Sequence, residues 1–344
     1  MMTTRLRVIL SALVAAVVLQ SVSGCTTARG PASSRQQVES PPVAPVNAAE
    51  TLIVPPVPVP TPPPPPPPPP EIVIPPPRIA LVLGGGAARG FAHVGVIKVL
   101  EAQGLAPDLV VGTSAGSVVA ALYASGLSGF DLQRRAMDLD EKAVSDWVLP
   151  NRGFLKGESL QNYINDAVKG RTIEQMGKPL GIVATDLQTG EQTVFRRGNT
   201  GMAVRASSSV PGVFQPVTIN GREYVDGGLT SPVPVQAARD MGAEIVIAVD
   251  ISKNPQRARV RDTIDVLMQT FLIMGRALAA QEMRSADVVV LPSTDELNTA
   301  DFESRHLAVL EGERAMQQAL PRLRQKIAER EQRLRALEAH PPPR

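Results

Sequence analysis

The stretch VVGTSAGSVVAALYASG, residues 110–126, decides how this chain folds. Leu109, Val110 and Val111 form a short apolar run of the kind found in buried strands. It breaks at Gly112. An apolar helical pattern then starts at once, through Ala115, Val118, Val119, Leu122 and Tyr123. Ser114 sits at the break with Gly112 two residues before it and Gly116 two after. G-x-S-x-G between a strand and a helix is the spacing of a nucleophile elbow. The reason is steric: so tight a turn leaves no room for side chains at the flanking positions. The serine would stand at a sheet edge over a helix N-terminus, whose free N–H groups favour negative charge. The alternative is a Gly/Ser turn without chemistry, and the rest of the chain has to choose.

Upstream, residues 78–83 (RIALVL) read as a first buried strand. Gly84-Gly-Gly-Ala-Ala-Arg-Gly90 follows, then a helix with apolar residues at 91, 94, 97 and 100. Glycine loops in this context commonly cradle phosphate. Here no Lys-Ser/Thr follows, so the loop is not a P-loop. A dinucleotide pattern would need Arg89 in place of its last glycine, and no acidic residue is placed for a ribose. A glycine loop beside a serine elbow points instead to an oxyanion hole.

Downstream, helices are expected at 128–140 and 158–169, strands at 179–184 and 191–195, and a helix at 202–209. Two prolines and a glycine make 210–216 irregular; it is a candidate either to line an apolar channel or to pack in the core. Residues 218–225 read as a hairpin around Asn220-Gly221 that delivers Asp226-Gly227-Gly228. A helix at 232–241, a strand at 244–250, a long helix at 260–285 and a last strand at 286–291 follow. Alternating strands and helices imply an α/β fold, three layers with a mainly parallel central sheet.

A serine needs a base. The chain has three histidines. His306 and His340 lie in the tail and His93 in the helix after the glycine loop, so none is well placed for a Ser-His-Asp triad. Asp226, at a strand end with two glycines after it, is the other candidate. A free Asp titrates near 3.9 and is a weak base, so burial would have to raise it.

GGGAARGFAHVGVIKVLE, GTSAG and DGG, in that order, resemble the patatin-like phospholipase family. VATDLQTGE, RASSSVPGVFQPV and DGGLTSPVPV add to the resemblance, which spans about residues 78–291. It implies a membrane-lipid acyl hydrolase with a Ser–Asp dyad: Ser114 as nucleophile and Asp226 as base. Gly85, Gly86 and Ala87 would form the oxyanion hole, with Arg89 bracing it. Many members have a further glycine at the place of Ala87. His93 would orient the loop. No cofactor and no metal are implied. The rival readings are an inert lipid-binding scaffold and a nucleotide-binding protein.

The N-terminus points to the bacterial cell envelope. Arg5 and Arg7 precede an apolar stretch, Val8–Val22, too short and polar-flanked for a comfortable span. It ends in Val22-Ser-Gly-Cys25, which resembles a lipobox, and Cys25 is the only cysteine in the chain. Residues 1–24 would be a lipoprotein signal and Cys25 the lipidated N-terminus, anchored without spanning. By resemblance to the sorting rule of enteric bacteria, Thr26 in place of Asp favours the outer membrane, facing the periplasm. Residues 25–77 have no apolar period and contain the nine prolines 62–70. They should form an extended polyproline tether, rising about 3.1 Å per residue. The catalytic domain would then be 78–302 and the helical tail 303–344. In that tail, apolar packing on the domain is weighed against contact with anionic lipid. Formal charge is only +2, which gives no footprint for nucleic-acid binding.

Overall fold

The computed structural model describes residues 74–139, 156–252, 260–294 and 304–339. The signal segment, Cys25, the tether up to residue 73 and His340 lie outside the described residues. Among those described, no helix is long and apolar enough to cross a membrane.

Five strands form the parallel part of the sheet: β1 (Ile79–Leu83), β2 (Leu109–Thr113), β3 (Leu180–Asp186), β7 (Ile245–Val249) and β8 (Val288–Val290). Their order is β3-β2-β1-β7-β8. The first four are buried along their whole length, as their largely apolar sequences require when both sheet faces are covered. β4 (Gln192–Phe195), β5 (Val217–Ile219) and β6 (Arg222–Asp226) are antiparallel additions. The β5–β6 turn has Asn220 at φ 52° and Gly221 at φ 78°, the two left-handed residues of a type I′ hairpin.

The register around β3 positions the site. Ala184 pairs with Thr193 of β4 and also with Asp226 of β6. Val183 pairs with Val194 of β4 and with Thr113 of β2. A strand residue has one partner on each edge, so β2 and β6 share the edge of β3 opposite β4. They meet there end to end: β2 stops at Thr113 opposite Val183, and β6 stops at Asp226 opposite the next residue, Ala184.

The helices are α1 (Phe91–Ala102), α2 (Ala115–Ala124), α3 (Gly129–Met137), α4 (Glu158–Ala167), α5 (Thr200–Ser207), α6 (Val235–Asp240), α7 (Thr263–Glu282) and α8 (Arg305–Ala339). Alternate residues of β1 sort the two faces. Ile79, Leu81 and Leu83 pack with α1, α2, α4, α5 and α8, whereas Ala80 and Val82 pack with α6 and Ala279 of α7. The result is a three-layer α/β/α arrangement.

The tail helix α8 packs on the domain. Its Val309, Met316, Leu320 and Leu323 are buried in the same cluster as α1, and Lys98 of α1 pairs with Glu313. Two glycines permit the approach. A Cβ on Gly95 would stand 2.0 Å from Val309 O, and one on Gly312 would stand 1.9 Å from Ala92 O. Alanine is the better helix former by about 1 kcal/mol. Gly312→Ala is nevertheless expected to destabilise by about 2 kcal/mol or more, because two backbones would have to part. Thermal denaturation checks the sign.

Candidate active site

Ser114 is the residue between β2 and α2, with φ 52° and ψ −124°. A non-glycine residue there carries backbone strain on the order of 1–3 kcal/mol. The surroundings hold it in place. Its N–H donates to Ser207 Oγ at 2.8 Å, and Ser207 Oγ donates to Val183 O at 2.5 Å. Its carbonyl accepts from Ser117 N at 2.9 Å and from Ser117 Oγ at 2.6 Å. The flanking glycines are required by contact: a Cβ on Gly112 would lie 2.4 Å from Gly116 O, and one on Gly116 would lie 2.0 Å from Leu83 O.

The glycine loop folds over the serine. A Cβ on Gly85 would be 3.2 Å from Ser114 Cβ. The Gly85 N–H donates to Pro232 O at 3.1 Å. Of the loop amides expected to form the hole, those of Gly86 and Ala87 have no backbone acceptor among the described residues. Arg89 is buried and its Nε donates to Ile251 O at 2.7 Å, tying the loop to the chain after β7. His93 is fully buried, and its Nε2 donates to Gly84 O at 2.8 Å. Burial pushes its pKa down to about 4, against the raising effect of that carbonyl. It is therefore neutral at pH 7, and its bond orients the loop. Ser114 has no hydrogen bond to any described histidine; His306 lies exposed on α8.

Ala87 has φ 52°. This is a conformation that favours glycine. Ala87→Gly removes the αL strain and adds unfolded-state entropy, so stability should stay level or rise by up to about 1 kcal/mol. Ala87→Val should destabilise instead, since a β-branched side chain fits this region worst. Denaturant melts of the two variants test the pair.

Asp226 is brought to Ser114 by the end-to-end placement of β2 and β6. It is buried, and its Oδ1 accepts from Gly228 N at 2.7 Å. Its Oδ2 is buried and outside hydrogen-bond geometry with any described group. Burial pushes the carboxyl up to about 7; the Gly228 N–H and the Ser114 hydroxyl pull it back in part. So the hydroxyl lies close enough to act on the carboxylate without being aligned as a hydrogen bond, as is common before substrate binds. The two glycines again serve contact: a Cβ on Gly227 would stand 2.3 Å from Val183 O, and one on Gly228 would meet Phe271 at 3.0 Å.

Two groups that hold the site had not been singled out in the sequence. Ser207 fixes the backbone of Ser114, and its neighbour Ser209 accepts from Asp226 N at 2.9 Å. The RASSSVPG motif therefore spans both ends of the pair. Glu282 of α7 accepts from Ser231 Oγ and from Val233 N, the latter at 2.9 Å. Between them Pro232 O receives Gly85 N–H, while Ser231 O receives Thr113 Oγ1 at 2.8 Å. Burial raises the Glu282 carboxyl to about 7. Nothing local in the sequence marks a glutamate so far along the chain as a support for the glycine loop.

Next to Ser114 lies an apolar cavity of about 70 Å³, lined by Ala87, Phe91, Ala115, Val118, Leu122 and Tyr163 among others. It runs between α1, α2, α3 and α4. The segment 210–216 does not line it; Phe214 is buried instead, near Gly157.

A family model described as patatin-like phospholipase matches residues 81–239. An uncharacterised NTE family protein of Mycobacterium tuberculosis is 36% identical over 178 residues, 51% of this chain and 49% of that protein. Human patatin-like phospholipase domain-containing protein 6 is 36% identical over 186 residues, 52% of this chain and 14% of that protein. The chain thus spans about half the length, or less, of these relatives. Among solved structures, VipD of Legionella pneumophila aligns with a TM-score of 0.45 at 15% identity, covering 72% of this chain and 67% of that one. The strand–elbow–helix, the glycine loop and the Asp-Gly-Gly turn all fall inside residues 81–239, the part of this chain that matches the patatin-like phospholipase family model.

Proposed function

We propose that this protein hydrolyses acyl esters of membrane lipids through Ser114 and Asp226. The observation that carries the reading is the head-on meeting of β2 and β6, which sets a buried carboxylate beside a strained serine. Asp226 takes the Ser114 proton as Oγ attacks the ester carbonyl. The resulting oxyanion is met by the N–H groups of Gly86 and Ala87 and by the N-terminus of α2. The ester C–O bond then breaks, and the alcohol leaves with the proton held by Asp226. Water, losing a proton to Asp226, attacks the acyl-enzyme; Ser114 recovers that proton and the fatty acid is released. The apolar cavity beginning at Ala87 and Ala115 suits the start of an acyl chain. A carboxylate base without histidine suits esters better than amides.

In this reading the chain is a lipoprotein of the bacterial envelope, held by Cys25 to the outer membrane and spaced from it by the proline tether. Two measurements test the reading. A serine-directed fluorophosphonate should label the wild type at Ser114, which an inert scaffold would not allow. Mass spectrometry of mixed membranes should show fatty acid and lysolipid appearing with the wild type and not with Ser114→Ala. Unchanged lipid would refute hydrolysis.

A further inference from the structure

Helix α7 has two apolar faces. The inner one lies on the site: Phe271 meets Gly228, a Cβ on Gly275 would lie 3.8 Å from Gly228 O, Ala279 is buried and Glu282 clamps the 231–233 turn. The outer one is bare. Val266, Leu267, Ile273 and Met274 are 51%, 53%, 53% and 55% exposed. The spacing i, i+1, i+7, i+8 puts all four on one stripe, with Thr270 and Ala277 between them and no charge within it. Arg276 stands to one side, paired with Asp250. So large an apolar patch beside a site calls for an occupant.

The chain entering α7 indicates which occupant. Residues 252–261 contain Lys253, Arg257, Arg259 and Arg261; Asp262 and Asp265 follow, the latter paired with Arg261, so four basic and two acidic side chains leave 252–265 at a net +2. A basic lead followed by an amphipathic helix is the composition of a segment that lies in an anionic lipid surface. A second copy is a poorer fit. Laid antiparallel, it would set this basic run against the far end of the other helix, where Arg284 is again basic and Glu282 is already committed. We infer that the outer face of α7 seats the protein on an anionic bilayer. Seating there sets α7 between the bilayer and the Asp226-Gly227-Gly228 turn, which then lies one helix diameter, roughly 10 Å, from the membrane surface. The inference rests on the proposed lipid-ester activity for its purpose; the seating itself can be measured without catalysis.

The single cysteine makes this testable in the full chain. In a Cys25→Ser background, a nitroxide is attached at Met274→Cys and, separately, at Gln325→Cys on α8. Vesicles of phosphatidylcholine with phosphatidylglycerol are added. The label at 274 should become about tenfold less accessible to a water-soluble nickel chelate and more accessible to oxygen, with the effect lost in high salt or on phosphatidylcholine alone. The label at 325 should not change. Unchanged accessibility at 274 overturns the inference, and so does protection at 325 in its place. Immobilisation at 274 that grows with protein concentration without vesicles assigns the face to a second copy and also overturns it. Leu267→Ser with Ile273→Ser supplies the functional arm: hydrolysis of vesicle phospholipid should fall roughly tenfold or more, with a soluble short-chain ester cleaved as before. Retained vesicle hydrolysis would count against seating. If the label at 274 inserts while no ester of either kind is cleaved, the hydrolase reading fails and the seating stands.

Discussion

Ser114→Ala is expected to lower acyl-ester hydrolysis by about 10⁴-fold or more, to the residual rate that an oxyanion site without a nucleophile supports. The loss should fall on kcat, because the cavity and the loop amides that bind substrate remain. It should come without unfolding. The Ser114 N–H would still donate to Ser207 Oγ, and its carbonyl would still accept from Ser117. A companion variant separates chemistry from strain. At φ 52°, alanine inherits the serine's cost, whereas glycine does not. Ser114→Gly should be as inactive as Ser114→Ala yet more stable by about 1 kcal/mol. Ester turnover and denaturant melts on the two variants check both halves. Comparable activity in either variant would remove Ser114 from the reaction, and equal stability would remove the strain argument.

Much of this arrangement is legible in the sequence, and for definite reasons. The elbow is readable because its steric demand is local: Gly112 and Gly116 must lack side chains within one turn of chain, so the requirement is written in five consecutive residues. The strand–loop–helix at 79–102 is readable by the same logic. The pairing of Ser114 with Asp226 is not local. It arises because β6 enters antiparallel and stops one register step beyond the end of β2 on the same edge of β3. No periodicity encodes that step, and in the sequence it rests on family resemblance. The support from Glu282 is less visible still, since it reaches Ser231 across 51 residues. The three-amide oxyanion loop shows a finer limit. Sequence nominates Gly85, Gly86 and Ala87 alike, while the folded chain commits the Gly85 amide to Pro232 O. For 210–216 the sequence left channel and core open, and burial of Phe214 away from the cavity places that residue in packing.

In the proposed dyad a carboxylate stands in for the usual histidine base. His93 is the histidine nearest the loop in sequence, but complete burial and its bond to Gly84 O hold it neutral and occupied. The same desolvation that disables His93 as a base improves Asp226. Removing a carboxylate from water raises its proton affinity toward the pH at which an acyl transfer must run. Burial therefore lowers the pKa of one group and raises that of the other, and the desolvated setting of Asp226 is the one that suits a base.

That environment makes Asp226→Asn the more informative of the two site variants, because activity and stability should move in opposite directions. As a base, Asp226 works only when ionised, so wild-type kcat/KM should rise with pH through about 7 and level off above it. The asparagine variant should lose about 10³-fold or more and show no such rise. For stability the sign is reversed. The folded-state pKa, about 7, lies above the ordinary value of 3.8, so between these two the folded state binds more protons than the unfolded chain. Wild-type stability should therefore be highest below pH 4, as far as this group is concerned, and fall as pH rises toward 7. Above pH 7 the full cost of a buried charge is present, on the order of 4 kcal/mol at most for a gap of this size. Asparagine carries no charge and its Oδ1 can still accept the Gly228 N–H. Asp226→Asn should thus melt higher than wild type at pH 8, by about 1–3 kcal/mol after the unpaired amide is allowed for, and the difference should shrink toward pH 4. Calorimetric melts at the two pH values decide it. A variant less stable than wild type at pH 8 would mean that Asp226 is a structural cap of the Asp-Gly-Gly turn rather than a strained base.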